Sequence, residues 1–289
     1  MNSRPVDVQA MRQLLDSCDR PTAVVDLEEA MQLPSVQAAT RLWYAAGQLI
    51  AFAFVDDYNN LRFEIRDEAV SAPLQTEIVD WGVTVMGARQ ALTGRIATLD
   101  AAVPAGNGWQ IAMLERHGFA RLDFRSLRYA RALDIPIQPQ PLPAGFTLRP
   151  VTGEPEVEAL VALHRAAFGT DNMTVEARLA MMRVPGYMPE LDLLVVAPNG
   201  SLAAFCVCGV EDAAVQVGYT DPIGTHPDFQ RRGLASAVVT AGLQALQARG
   251  VTVAELGTSS QNLAMQQLAG RLGFRLVAEK LWFSKPLPA

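Results

Sequence analysis

Apolar and polar residues alternate over residues 146–151, ahead of Pro150, the pattern of a half-buried strand. From 154 to 168 the apolar positions 157, 160, 161, 163 and 167 follow a helical period, with acids in the first turn. Thr174 fits an N-cap for a second helix carrying Ala177, Leu179, Met181 and Met182, which Pro185-Gly186 closes. Residues 191–197 and 202–210 read as two strands about the turn Asn199-Gly200, a hairpin. A strand over 215–225, a helix over 232–248, a strand over 251–256, a helix over 263–272 and an interrupted strand over 274–284 complete this half. The predicted order is β-α-α-β-β-β-α-β-α-β. Helices segregated around a mostly antiparallel sheet, with one β-α-β crossover, make the fold class α+β rather than doubly wound.

The first half shows the later part of that order again. Residues 41–44 and 48–55 form a hairpin about Gly47, 61–65 extends the sheet, 74–92 is a helix and 95–103 a strand. The run Asn107-Gly-Trp-Gln-Ile-Ala-Met-Leu-Glu-Arg-His-Gly-Phe119 then stands against Asn262-Leu-Ala-Met-Gln-Gln-Leu-Ala-Gly-Arg-Leu-Gly-Phe274. Each places Asn twelve residues before Phe, across a helix ending in Gly-Phe. Shared order and spacing indicate a duplicated unit of about 150 residues. Between the halves lie Pro136, Pro139, Pro141 and Pro143, followed by Ala144-Gly145. Such spacing favours extended polyproline backbone and withholds N–H donors from a ladder. A rigid loop within one domain has the same composition; the likeness of the two flanks favours a linker. The expected domains are 1–135, a Pro-rich linker over 136–145, and 146–289, each a mixed, mostly antiparallel sheet flanked by helices.

Composition adds exclusions. The chain has 289 residues, half of them apolar and 19% charged, which fits two packed cores and not a disordered chain. The net charge of −6 is spread over both halves, so neither is a basic footprint for nucleic acid or anionic membrane. Three cysteines are too few for a secreted disulfide scaffold. Cys206 and Cys208 share one face of an apolar strand with no ligand-spaced His or Cys nearby, so they read as core thiols and no metal is expected. The longest apolar runs fall far short of the ~20 residues of a membrane span. The N-terminus shows no basic start followed by an apolar core, and a cytoplasmic location is expected.

The chemistry concentrates in Val217-Gly-Tyr-Thr-Asp-Pro-Ile-Gly-Thr-His-Pro-Asp-Phe-Gln-Arg-Arg-Gly-Leu-Ala-Ser236. A strand ends near Thr225, a short turn follows, and Gln-Arg-Arg-Gly-Leu-Ala opens a long helix. Unpaired amides at a helix N-terminus carry positive partial charge and accept phosphate. Gly233 lets backbone approach a ligand closely, small Ala235 does the same one turn in, and Arg231 and Arg232 add charge at the rim. No Gly-Lys-Ser/Thr follows, so this is not a nucleotide P-loop.

The pattern Gln/Arg-x-x-Gly-x-Gly/Ala after Thr-His-Pro resembles the acetyl-coenzyme A loop of the GNAT superfamily of N-acetyltransferases. Residues 262–274 resemble the same family's next motif, and the likeness covers all of 146–289. It implies that amides of Gln230, Arg231, Arg232, Gly233, Leu234, Ala235 and Ser236 hold the pyrophosphate of acetyl-coenzyme A. It also implies that Ile223, Gly224 and Thr225 pair backbone groups with the pantetheine arm, as an added strand would. Asn262 is implied to bond the cofactor where two parallel strands splay; capping the following helix is an equal reading, compatible with the first.

For the general base, Tyr219, Asp221, Ile223 and Thr225 share a face if the strand stays regular, although Pro222 interrupts it. Asp221 stands at a position often acidic in similar sequences and is the first candidate, acting directly or through water. Tyr219 comes second, Glu211 or Asp212 third. Asp221 also reads as a plain turn carboxylate before Pro222. His226 precedes the turn at a variable position, and His117 and His164 read as ordinary helix residues. Many relatives carry Tyr where this chain has Ala269; a thiolate with pKa about 8.5 can depart without a strong acid, at a lower rate, or Tyr219 or Ser259 can substitute. In the first half, Arg66-Asp-Glu-Ala-Val-Ser-Ala-Pro-Leu74 has no glycine and two acids, so that domain is read as degenerate and without cofactor. The expected activity is direct transfer of acetyl from acetyl-coenzyme A to a primary amine, on a small molecule or peptide, in a ternary complex. The alternatives are a non-catalytic acyl-coenzyme A-binding module and an acyltransferase using a longer chain. Oligomeric state stays open.

Overall fold

The computed structural model describes residues 6–18, 22–94, 98–212 and 216–287. Its elements are α1 (Val8–Ser17), α2 (Thr22–Ala30), α3 (Pro34–Ala38), β1 (Thr40–Ala45), β2 (Gln48–Val55), β3 (Leu61–Ile65), α4 (Ala72–Thr93), β4 (Thr98–Pro104), α5 (Gly108–Arg116) and β5 (Ala120–Ala132). They continue as β6 (Thr147–Pro150), α6 (Val157–Phe168), α7 (Val175–Met182), β7 (Asp192–Val196), β8 (Leu202–Asp212), β9 (Val217–Thr225), α8 (Leu234–Gln247), β10 (Val253–Ser259), α9 (Leu263–Arg271) and β11 (Arg275–Pro286). The α+β class is as expected. The expected strand over 95–103 starts on residues outside those described.

Two compact units result: Met1–Ser126 with Glu279–Ala289, and Leu127–Ala278. This division differs from a linear 1–135, 136–145 and 146–289, and packing supplies the reason. Leu133 is 1% exposed in the second core, its N–H bonds Thr252 O at 2.8 Å, and Ile137 and Leu142 of the Pro-rich run pack beside it. Leu281 and Phe283 belong to the core of the first unit instead, carried by the β11–β4 ladder from Lys280↔Pro104 to Pro286↔Thr98. Apolar burial of about 1.5–3 kcal/mol for each such side chain outweighs chain order in deciding which unit a segment joins.

In the first unit, β1, β2 and β3 form an antiparallel sheet whose tight turn is Ala46-Gly47, both at positive φ. One face packs on α4 and the other on α1, α2 and α3, three helices that were not expected. Met11, Leu14 and Leu15 carry the buried stripe of α1.

In the second unit the strand order is β5-β10-β9-β8-β7-β6, with β9 and β10 parallel and β9-β8-β7-β6 antiparallel throughout. The α8 helix supplies the crossover between β9 and β10. Its face of Val238, Val239, Leu243 and Leu246 packs on one side of the sheet. Gly242 is required there, because a Cβ would lie 2.5 Å from Cys208 Sγ. The other side carries α6, through Leu160 and Leu163 against Leu194, Phe205 and Val207. No helix among the described residues is long and apolar enough to cross a membrane.

Candidate functional site

The parallel β9–β10 ladder runs Val217↔Val253, Gly218↔Ala254, Tyr219↔Glu255, and among the described residues goes no further. Side chains finish it. Thr220 Oγ1 donates to Glu255 O at 3.1 Å, and the Gly257 N–H, which a next rung would hold, donates to Asp221 Oδ2 at 2.7 Å. Beyond this point β9 keeps β8 on one edge, through Cys206↔Ile223, Phe205↔Gly224 and Ala204↔Thr225. Its other edge has no further rung to β10. Residues 223–225 thus offer backbone groups toward a splay between two parallel strands.

A β-bulge redirects the side chains. Asp221 and Pro222 together oppose Val207, since Thr220 pairs with Cys208 and Ile223 with Cys206. Cross-strand partners share a face, so Thr220 and Ile223 both turn to the α8 side, where Cys206 and Cys208 lie. Tyr219 turns the other way and rests its ring over Gly209, where a Cβ would come 2.3 Å from the phenol oxygen. The single shared face for Tyr219, Asp221, Ile223 and Thr225, conditional on a regular strand, is therefore not formed. Asp221 leans onto Gly257, whose missing side chain makes the room: a Cβ there would sit 2.6 Å from Oδ2.

After Thr225 the chain makes a short turn. His226 Nδ1 accepts the Asp228 N–H at 3.3 Å, which gives this histidine a capping role. Gln230 Nε2 donates back to Thr225 O at 3.3 Å. Arg231 (φ 63) and Gly233 (φ 79) alternate in the left-handed region, which curls successive N–H groups into a concave nest suited to anions. The first helical bond of α8 runs from Ala237 N–H to Gly233 O at 3.0 Å, so the amides of Leu234, Ala235 and Ser236 have no intrahelical acceptor. Leu234 anchors the turn with a side chain 1% exposed. A Cβ at Gly233 would meet nothing within 4 Å, so the cradle opens outward. Arg232 is folded back, donating to Asp228 O at 3.1 Å and lying 5.6 Å over the Phe229 ring.

Asn262 caps α9, its Oδ1 accepting Met265 N–H at 3.0 Å. Asn107 does the same for α5, accepting Gln110 N–H at 3.2 Å. Both helices end alike, with Gly273 (φ 84) and Gly118 (φ 78) ahead of Phe274 and Phe119, whose N–H groups bond Ala269 O and Leu114 O at 3.0 Å. Capping thus accounts for Asn in both repeats. Ala269 is fully buried in the second core, so its side chain faces packing rather than the splay. Ser259 Oγ accepts the Gln261 N–H at 3.2 Å. The side chains of Glu211 and Asp212 lie outside those described.

The first unit treats the equivalent place differently. Asn60, just before β3, makes an isolated parallel bridge to Asp100 of β4, and the Phe63 ring of β3 meets the Trp109 ring of α5 at 6.4 Å. Trp109 stands where the second repeat has Ala264. The loop into α4 has Pro73 in its first turn and no side-chain cap.

Three groups near the splay were not anticipated. Arg178 and Asp192, 5% and 0% exposed, form a buried ion pair, and Tyr187 OH donates to Asp192 Oδ2 at 2.7 Å. Burial and the adjoining carboxylate push the Tyr187 phenol well up. Glu255, on the last rung beside Tyr219, is raised by burial and partly restored by Arg128 at 3.3 Å. Their signal in the sequence is a charge on an otherwise apolar stripe: Arg178 within α7, Asp192 ahead of four apolar residues, Glu255 amid Val, Ala and Leu. Among the described residues no cluster of three or more His, Cys, Asp or Glu could hold a metal ion.

Residues 158–274 match the model of the acetyltransferase (GNAT) family. The chain is 34% identical over 140 residues to a mycothiol acetyltransferase of Clavibacter michiganensis, covering 47% of this chain and 44% of that protein. It spans about half the length of the curated relatives it matches. Among solved structures, a GCN5-related N-acetyltransferase from Sphaerobacter thermophilus superposes with a TM-score of 0.74 at 22% identity, covering 99% of this chain and 95% of that one. A tandem GNAT protein from the clavulanic acid biosynthesis pathway gives 0.70 at 16% identity, covering 98% and 97%. These two likenesses concern the fold.

Proposed function

We propose that this chain, whose residues 158–274 belong to the acetyltransferase (GNAT) family, moves an acetyl group from acetyl-coenzyme A to a primary amine on a small molecule. The observation that carries this reading is the amide nest at 231–236, placed directly beyond the unlaced edge of β9. One end suits a pyrophosphate and the other an extended amide-bearing arm, which is the donor set acetyl-coenzyme A requires. The outward-opening Gly233 fits close approach of such a group. Relatives named mycothiol acetyltransferases support a small-molecule acceptor.

In this reading the amides of residues 230–236 hold the pyrophosphate, and the backbone of Ile223, Gly224 and Thr225 aligns the pantetheine arm. The Nδ2 group of Asn262 is available to the same ligand while Oδ1 caps α9. Bound acetyl-coenzyme A supplies an activated thioester whose thiol, with pKa about 8.5, departs without a strong acid. That property makes Ala269 in place of a phenol tolerable. The chain's own contribution is proximity, backbone N–H polarisation at the splay, and acceptance by Asp221 of the proton that the attacking nitrogen gives up, directly or through water. Tyr219, two residues before Asp221, is the second candidate for that proton.

Release of free thiol from acetyl-coenzyme A with a panel of primary amines tests this, with mass spectrometry of the products. Amine-dependent thiol release and an acetylated amine are expected. Ala269 favours one rival, a non-catalytic acyl-coenzyme A-binding module. Tight binding without amine-dependent release would establish that rival.

A further inference from the structure

The sheet face away from α8 carries a second carboxylate where the β9–β10 ladder ends. Ala254 and Leu256 of β10 are buried in the core that α8 covers, so alternation turns Glu255 and Gly257 to the opposite face. Glu255 is the rung partner of Tyr219, and ladder partners share a face, so both stand on this side. The Tyr219 ring leans across to Gly209 of β8, away from β10. Asp221 Oδ2 comes to the same face, since it lies 2.6 Å from where a Gly257 Cβ would be while it accepts the Gly257 N–H. Glu255 and the Asp221 carboxylate therefore occupy consecutive places along one face of β10, two residues or about 6.6 Å apart on the strand. An ammonium with a charge-assisted hydrogen bond of about 2.8 Å to each would bridge about 5.6 Å, and the stem of Glu255 covers the remainder.

The charge of Glu255 is only partly matched where it stands. Its side chain is 19% exposed, burial raises its carboxyl above the ordinary range, and Arg128 at 3.3 Å restores part of the difference. Arg128 belongs to β5, so this cation approaches from the edge of β10 opposite to β9 and Asp221. A half-buried carboxylate short of full compensation gains from a further cation. An aliphatic primary amine, with pKa about 10, arrives as one at neutral pH.

We propose that Glu255 is a positioning residue for the acceptor: it holds an aliphatic primary amine as its ammonium on this face, beside Asp221. Glu255 keeps its charge, and the proton goes to Asp221. The fate of the nitrogen rests on the transferase reading above; the ammonium site does not. The test uses the full chain saturated with coenzyme A, titrated with n-butylamine and with its uncharged counterpart 1-butanol and followed by NMR. Initial rates with acetyl-coenzyme A and n-butylamine accompany it. Expected is binding of n-butylamine at least about tenfold tighter than 1-butanol, as one charge-assisted hydrogen bond provides. Glu255→Gln, which keeps the shape, should weaken n-butylamine about tenfold and raise its KM alike, with kcat within about threefold and with 1-butanol and coenzyme A unaffected. Arg128→Met removes the competing cation and should tighten n-butylamine or leave it unchanged, whereas a Glu255 that only anchors β5 makes the two variants behave alike. Equal binding of n-butylamine and 1-butanol, no response to Glu255→Gln, or the same loss in Arg128→Met overturns the proposal. A Glu255-dependent preference without thiol release from any amine of the panel upholds the ammonium site and overturns the transferase reading. Turnover with KM unmoved in Glu255→Gln does the reverse.

Discussion

Replacing Asp221 by Asn separates the two tasks the structure gives that carboxylate. Its Oδ2 receives the Gly257 N–H at 2.7 Å and so completes the last rung between β9 and β10. Asn keeps a carbonyl oxygen in the same place, so the tie survives as a neutral hydrogen bond. The difference between a charge-assisted and a neutral bond is about 1 kcal/mol, a small loss of stability. Proton acceptance is lost altogether, which should lower kcat/KM by ~10²-fold or more, with coenzyme A affinity nearly unchanged. Gly257→Ala is the complement. It leaves the carboxylate intact but places a Cβ 2.6 Å from Oδ2, so the flexible acid must swing off its partner. If position matters as well as basicity, this variant also loses activity, while its acid limb stays in the pH–rate profile. The assay is kcat/KM against pH, with thermal unfolding and coenzyme A titration as controls. A base must be ionised to act, so wild-type activity rises with pH along the acid limb; the ionisation of the amine gives a limb of the same sign, and Asp221→Asn abolishes or moves the part that the carboxylate sets. An Asn variant with activity within about threefold of wild type and an unaltered limb would refute the assignment, and Tyr219 would take its place.

Gly233→Asp should reduce coenzyme A affinity about 100-fold or more by putting an anion into the amide nest, the loss expected for one or two charge-assisted hydrogen bonds. Its Cβ meets nothing within 4 Å, so the cost to the fold is confined to the left-handed backbone, about 1 kcal/mol, and the unfolding temperature should fall by only a few degrees; unchanged affinity by calorimetry sinks the nest. Titration of the whole chain should give one coenzyme A per chain, bound by the second unit, since Phe63 and Trp109 meet where the first unit would need a splay; a stoichiometry of two contradicts this. Asp192→Ala should cost about 3–5 kcal/mol in urea unfolding by leaving the Arg178 charge buried and unmatched, whereas Arg178→Met with Asp192→Leu should recover most of it. A cost below about 1 kcal/mol for the single change would show that water reaches this pair.

Local patterns carried the second half well and long-range pairing poorly. The Thr174 cap, the Asn199-Gly200 hairpin and the 263–271 helix are set by residues within a turn or two, so period and punctuation suffice. The thirteen-residue β5 was missed because Arg121, Arg125, Arg128 and Arg131 dilute its alternation, and most of the strand is half-exposed rather than buried. Which core a strand joins is a non-local matter. Nothing within residues 127–133 announces Thr252 as a partner, and nothing in Leu281 or Phe283 announces β4. The site shows the same limit at smaller scale. Pro222 signalled an interruption in β9, but only the register against Val207 reveals an extra residue that turns Ile223 to the core and frees Asp221 to reach Gly257.

The two repeats also separate the parts of the motif that shape the fold from the parts that can hold a ligand. Both keep an Asn cap, a nine-residue helix and a left-handed Gly before Phe, with matching hydrogen bonds. Those features occur in both units, so helix capping alone is enough to account for them and they do not mark a ligand site. What differs is narrow: left-handed Arg231 and Gly233 leading into α8, against a glycine-free Arg66-to-Leu74 segment with two acids and an α4 that has Pro73 in its first turn. A second difference is Ala264 against Trp109, a small residue where the other repeat puts an indole against Phe63. An anion site needs donors that are unpaired, concave and unobstructed. Only the second repeat keeps all three conditions among the described residues. Exchanging the loop alone would therefore leave the first unit without affinity, because the Trp109 indole of α5 would still stand against Phe63 of β3.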